Sequence, residues 1–591
     1  MVRTLHDEQT PTSTVNLQIH RFTQKRRCHD LPSSYAINLY IKIISLLQHT
    51  SRMYTLRHLL PITALTLNSA WIHHVDALVV TRNDTNLLPS RSPLTGDFAA
   101  VVKDNMDFWN IPGMAIAVID SHDVFAEGYG FSALPDKKVT PETLFYAGST
   151  TKAQTAACLS ALVQNGSYPA LAEGWSTTIS SILKDDFVLQ DQWATDHLTL
   201  DDAVSHRTGL PRHDRSLMRE KDGLPLSTAD IVRNMRNLPY IHEPRAEFHY
   251  CNYMYITLSH VIETVTKKSL KQVMKELIWD PLGMNSTYFG LEEAKQGPQD
   301  LATGYVWVNE TGKHNETAYM PVTDLSGAAA VISNVRDYAK WIQALVNDTQ
   351  VFSDDMLHDI RKPRMLSDPY PGKGNDVLLY GLGWYRSVTN GHVFYRHDGV
   401  MIGFRAQVYW FPNDKFGFVI FANSDEAAIA NAAISWKLIA DKFSIPVEEL
   451  VDIPAGRSRG PSAEQKFEDA ANKHFPNHTH ADPSFSLAEM EGTYSDAGYG
   501  TLTLRSDQSK PDAKVLVAER PDMTWDYGLT FRHVSGDSWI AGEAWLDYMA
   551  DAGQFHPVEF VRGDDGKPAA LKMKVMLRNE FEGNVTFAKT G

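Results

Sequence analysis

Strand-like apolar runs stand at both ends of a long helical stretch in this chain, and that arrangement constrains its fold most. Met114-Ala-Ile-Ala-Val-Ile119 and Val124 to Tyr129 read as two strands around a Ser121-His122-Asp123 turn. Strand patterns then return only far along the chain, at Gly383 to Arg386, Val393 to Arg396, Arg405 to Phe411 and Phe416 to Ala422. Helical patterns fill the interval, at 149–164, 199–205, 227–237, 253–266, 269–278 and 333–345, and one over 426–443 closes the stretch. The early hairpin is expected to pair with the late strands. The class is therefore α/β (α+β), a mixed antiparallel sheet flanked by helices.

Composition changes twice along the chain. Residues 451–482 are polar and rich in Pro, Gly and His, which reads as a linker holding a short helix. From about Leu487 the pattern is strand and turn, as at Gly500-Thr-Leu-Thr-Leu504 and Ala569 to Val575. A small all-β barrel is expected there. The expected division is a leader over 1–76, a main body over 77–450, the linker, and the barrel over 483–591.

The first 75 residues hold eight Lys or Arg and three acids, although the whole chain carries a net charge of -15. Met53 opens a segment with the layout of a signal peptide: Arg57 and His58, then the apolar run Leu59 to Leu67, then a small residue at Ala70 or Ala77. The residues before Met53 read either as an upstream start of the reading frame or as a disordered extension. N-x-S/T sequons occur at Asn83, Asn165, Asn285, Asn309, Asn315, Asn347, Asn477 and Asn584, the acceptor pattern of a glycosylated, secreted protein. No 18-residue apolar run is present, so no stable membrane span is expected. An acidic chain lacks the clustered Lys and Arg that a nucleic-acid partner requires. Beyond Cys28 in the leader only Cys158 and Cys251 remain; they read as two small buried hydrophobes, with a disulfide between them as the less favoured alternative.

The sharpest chemical signal is Tyr146-Ala-Gly-Ser149-Thr-Thr-Lys152. Ser and Lys three apart on a helix share one face. An amine held against a hydroxyl in a dry site activates it, if its pKa falls well below about 10.4. The pattern alone is weak; Ser181-Ile-Leu-Lys184 repeats it as a surface coincidence. Two further pieces strengthen Ser149: Tyr250-Cys-Asn252 just before a helix, and His397-Asp-Gly399 between strands. Asp202 and His206 invite a Ser–His–Asp reading. They stand i, i+4 on one helix, and Lys152 is already placed to serve as the base.

The order S-x-x-K, Y-x-N, then a strand motif ending in Gly resembles the serine β-lactamase and penicillin-binding-protein superfamily. The Y-x-N form is similar to its class C β-lactamase, peptidase S12 and family VIII esterase branch. Leu198 to Pro211, Pro281-Leu-Gly-Met284 and Tyr380-Gly-Leu-Gly-Trp384 also look typical, and Met490-Glu-Gly-Thr-Tyr494 resembles an appended lipocalin-like domain. The resemblance covers roughly residues 95–445. It implies a β-lactamase/transpeptidase-like fold with Ser149 as nucleophile, Lys152 and Tyr250 sharing the proton work (Tyr250 as phenolate or shuttle), and Asn252 holding Lys152 and substrate. The implied oxyanion hole is the backbone N–H of Ser149 and of Val400. Gly399 would let the strand lie close to the substrate.

One motif departs from the family pattern. His397 stands where the family usually carries Lys, and Asp398 where it carries a small hydroxyl residue. A largely neutral His holds a substrate carboxylate poorly, so β-lactam binding is expected to be weak unless Arg396 or Arg405 compensates. No metal-ligand cluster is present, and neither metal nor cofactor is expected. The leading expectation is a serine hydrolase of a small ester or amide. Acyl transfer by the same acyl-enzyme and a silent binding protein of the same fold are the alternatives. Oligomeric state is left open.

Overall fold

The structure, a computed structural model, describes residues 92–591 apart from 310, 348–350, 452–460, 480, 508–513, 547–550 and 579. The signal-peptide segment, Cys28 and Asn83 lie outside the described residues.

A nine-stranded antiparallel sheet forms the centre. Its strands are β1 (Gly113–Asp120), β2 (Asp123–Ala133), β3 (Lys137–Lys138), β4 (Met365–Asp368), β5 (Leu378–Tyr380), β6 (Tyr385–Thr389), β7 (His392–Met401), β8 (Phe404–Phe411) and β9 (Phe416–Ala422). The spatial order is β4-β5-β6-β7-β8-β9-β1-β2-β3. β1 pairs β2 on one side and β9 on the other, with Met114 opposite Ala422 and Asp120 opposite Phe416. The early hairpin and the late strands are thus one sheet. β1 is apolar on both faces because both are covered. Met114, Ile116 and Val118 pack with α1 (Asp97–Trp109) and α5 (Ala427–Phe443). Ala115, Ala117 and Ile119 face the larger core, which takes in α2 (Thr151–Asn165), α3 (Asn252–Thr266) and α4 (Val335–Val346). Cys158 and Cys251 are both free and buried.

The C-terminal part is a closed eight-stranded barrel: β10 (Gly492–Asp496), β11 (Gly500–Ser506), β12 (Val515–Arg520), β13 (Tyr527–Ser535), β14 (Ser538–Trp545), β15 (Asp551–Arg562), β16 (Pro568–Leu577) and β17 (Glu580–Lys589). Closure removes the free edges that an open sheet of this kind would expose. A helix, Ala463–His474, precedes it. The barrel grips the segment that follows Pro211. Thr524 N–H donates to Leu217 O at 2.9 Å, Arg219 N–H donates to Asp522 O at 2.9 Å, and His213 Nδ1 lies 2.6 Å from the Tyr499 hydroxyl. Arg215 forks onto the buried Glu543 carboxylate, with Nε 2.7 Å from Oε2. Its guanidinium stands between the Tyr527 and Trp545 rings. This segment is therefore plugged into the mouth of the barrel.

Candidate active site

Ser149 sits in a 3₁₀ turn, Gly148–Thr150, that runs directly into α2. The turn presses against β7. Gly148 has φ +53°, and a Cβ there would stand 2.9 Å from the Val400 nitrogen. A Cβ on Gly399 would meet Ala147 O at 2.1 Å. Only glycine permits this approach at both positions, and it brings the backbone of Val400 beside that of Ser149.

Lys152, in the first turn of α2, is fully buried. Its Nζ lies 3.1 Å from Ser149 Oγ, 2.7 Å from Asn252 Oδ1 and 2.8 Å from Ala328 O. Burial, with Arg212 next, holds its pKa well below the ordinary lysine value. A neutral amine is thus accessible, and with the amine neutral the serine hydroxyl can donate to it. Asn252 is the first residue of α3, and its side chain does not cap the helix. Its Nδ2 donates instead to Asp214 Oδ1 at 2.9 Å, and Arg212 closes on Asp214 Oδ2 at 2.8 Å. Arg212, Asp214, Asn252, Lys152 and Ser149 form one continuous chain of contacts.

Tyr250 closes the other side. Lys152 Nζ lies 4.9 Å from its ring centroid and the Arg212 guanidinium 4.6 Å. Tyr250 and Ser149 line the same cavity. Burial, then the neighbouring Tyr385, raises the Tyr250 pKa well above the ordinary tyrosine value, against the pull of Arg212 and Ser149. The resting side chain is therefore the phenol.

His397, Asp398 and Gly399 lie inside β7, not between strands. His397 is buried; burial, then Lys152, lowers its pKa to about 3, so the ring is neutral near pH 7. Its Nδ1 is 2.8 Å from Asp398 O and its Nε2 3.3 Å from the Tyr380 hydroxyl. Asp398 pairs with Arg396 at 2.8 Å, two residues back on the same face of the strand. Arg405 is engaged by Asp425 at 2.7 Å. Neither arginine is thus free to replace the family lysine. The Asp202–His206 pair does not share a helix either: the helix ends at Val204 and His206 has φ +56°. Asp202 binds Arg207 and Arg245. His206 stacks on Tyr250 at 4.3 Å and accepts the Cys251 N–H at 3.1 Å, which fixes the approach to Tyr250. Ser181 and Lys184 are exposed on the surface.

Residues 98–440 match the family model described as Beta-lactamase. This chain belongs to the beta-lactamase family. It is 36% identical over 496 residues to "Unguisins hydrolase ungD'" of Aspergillus campestris, an alignment covering 82% of this chain and 90% of the relative. It is 23% identical over 330 residues to a "D-aminopeptidase" of Cereibacter sphaeroides, covering 54% of this chain and 58% of that one. The penicillin-binding protein homologue from Pyrococcus abyssi has the same fold, at 19% identity and a TM-score of 0.53, over 83% of this chain and 99% of that one. The protein is accordingly a serine hydrolase of the β-lactamase-related type.

In this beta-lactamase-family hydrolase the site opens into a cavity of about 590 Å³. Ser149, Tyr250, Asn252, His397, Asp398 and Val400 contribute to its lining. The barrel contributes its own stretch of wall: Trp525, Trp545, Gln554 and Arg578. Sequence reasoning missed Arg212, Asp214 and this whole wall. Arg212 and Asp214 follow directly on the family-like stretch ending at Pro211, which was the one available signal. Nothing local in the barrel sequence marked Arg578. Among the described residues no cluster of His, Cys, Asp and Glu is arranged to hold a metal ion.

Proposed function

We propose that the protein is a secreted hydrolase that cleaves a small ester or amide through an acyl-Ser149 intermediate. Ser149 Oγ attacks the carbonyl carbon while its proton passes to Lys152 Nζ. Charge developing on the carbonyl oxygen is taken by the backbone N–H groups of Ser149 and Val400. The tetrahedral species collapses, the C–O or C–N bond breaks, and the leaving alcohol or amine receives the proton from Lys152 through the Tyr250 hydroxyl. Water then attacks the acyl carbon, returns a proton by the same route, and releases the acid with Ser149 restored. The observation that carries this reading is the fully buried Lys152 amine, 3.1 Å from Ser149 Oγ and held by Asn252. β7 itself offers no fixed cation to a substrate, because His397 is neutral.

Export is supported by exposed sequon asparagines at Asn165, Asn285, Asn309, Asn315, Asn477 and Asn584. Asn347 is withdrawn as an acceptor: it is buried, and its Nδ2 donates to Ser121 O at 2.6 Å. Two experiments test the reading. Expression from Met53 in a eukaryotic host should deliver protein to the medium with a mass that falls on deglycosylation; retention inside the cell contradicts export. A panel of activated esters, peptide amides and an unguisin should include at least one substrate turned over by the wild type and not by Ser149→Ala. Equal turnover by the variant overturns the mechanism.

A further inference from the structure

The cavity lacks the fixed cation that β7 would ordinarily present, since His397 is neutral. Its acids and bases are mostly satisfied in pairs: Arg212 with Asp214, Arg405 with Asp425, Arg396 with Asp398. Arg578 is different. It stands at the turn joining β16 to β17 and lines the same cavity as Ser149. No ion pair joins it to any described residue, including Glu580 in the same cavity. Its backbone is held in the left-handed region, φ +52°, with its N–H donating to Gln554 Oε1 at 2.6 Å. That tether fixes the backbone of the turn.

The geometry points to Arg578 as the anchor of a carboxylate-binding subsite: the barrel supplies, within the same cavity, the cation that β7 lacks. The substrate is then a peptide or acyl amide carrying a free carboxylate on the barrel side of its scissile bond. A guanidinium suits this role, because its planar fork matches a carboxylate with two parallel hydrogen bonds. Desolvation, then the nearby Arg212, already draws its pKa below the ordinary arginine value, and a bound anion relieves that like-charge crowding. The subsite rests on the proposed hydrolase function for its purpose, but not for its test.

Binding is measured on Ser149→Ala, which cannot turn over, by titrating an N-acyl dipeptide as its free acid and as its C-terminal carboxamide. Trp525 and Trp545 provide the fluorescence signal from the same wall. The acid should bind more tightly. Adding Arg578→Gln should lower the acid-over-amide ratio about tenfold or more, the scale of one charge-assisted hydrogen bond, and Arg578→Lys should restore part of it. Circular dichroism of each variant establishes that it is folded. An acid that binds no better than its amide, or a preference untouched by Arg578→Gln in a folded protein, overturns the subsite. Failure of the wild type to form an acyl-serine with an activated ester would instead count against the hydrolase reading, whatever the binding shows.

Discussion

Lys152 on the helix-and-sheet wall and Arg215 in the barrel mouth are both fully or nearly buried basic side chains, yet their surroundings treat charge in opposite ways. Around Lys152 the contacts are a serine, an amide oxygen and a backbone carbonyl, with Arg212 adding repulsion. The nearest carboxylate, Asp214, reaches Lys152 only through Asn252, and its pull does not offset desolvation. Arg215 meets Glu543 directly, and that carboxylate is held at about 2 by Arg215 despite its burial. The first environment makes a proton acceptor. The second makes a rivet that stays charged at any working pH and joins the barrel to the loop carrying Asp214. Burial alone therefore does not assign a basic residue its role; the charge of its partners does.

Lys152→Ala tests the acceptor half most severely. It should lower kcat/KM about 10³- to 10⁴-fold, the upper range for a lost general base. In the wild type kcat/KM should fall as pH drops, because protonating Lys152 removes the base; a rate that is flat with pH, or within tenfold of wild type in the variant, breaks the assignment. The rivet half is tested by stability. Glu543→Ala strands a buried guanidinium and should cost about 3–5 kcal/mol in denaturant unfolding, while Arg215→Met with Glu543→Met should recover most of it. Equal losses in the single and double variants would mean the pair is not the anchor. Tyr250→Phe sharpens the contrast on the catalytic wall: activity should fall about 10²-fold with the unfolding midpoint unchanged.

The smallest effect concerns Glu582, a barrel carboxyl beside the same loop. Burial and then Asp214 raise its pKa from 4.5 to about 8, and its Oε1 accepts the His213 N–H. The folded state thus holds a proton that the unfolded chain releases near 4.5. Stability from this group is greatest below pH 4.5 and is lost as pH rises towards about 8. Glu582→Gln keeps the neutral form at every pH. Its melting temperature should exceed wild type by about 2 °C or more at pH 9, and the gap should close on acidification. A gap that widens on acidification contradicts the sign.

The catalytic wall was legible in the sequence because its chemistry is local. Ser149 and Lys152 are one helical turn apart, Tyr250 and Asn252 straddle a helix start, and β1 announces itself as a strand buried on both faces. The sheet pairing followed from where strands stood relative to helices. What was not legible depends on pairing across the fold. That His397 lies within β7 follows from its register with Val408 on β8, which no local pattern specifies. The shared-helix reading of Asp202 and His206 failed because Ser205 ends the turn and His206 adopts a positive φ. Arg578 and Glu582 gained their meaning only when closure of the barrel brought β16 and β17 against the loop after Pro211.

The central claim is that Ser149 becomes acylated. Intact-mass spectrometry of the deglycosylated protein after exposure to p-nitrophenyl acetate, and separately to a fluorophosphonate, tests it most directly, with Ser149→Ala treated alongside. A single adduct mapped to Ser149 and absent from the variant is the predicted result. No adduct on folded protein, or an equal adduct on the variant, would contradict it.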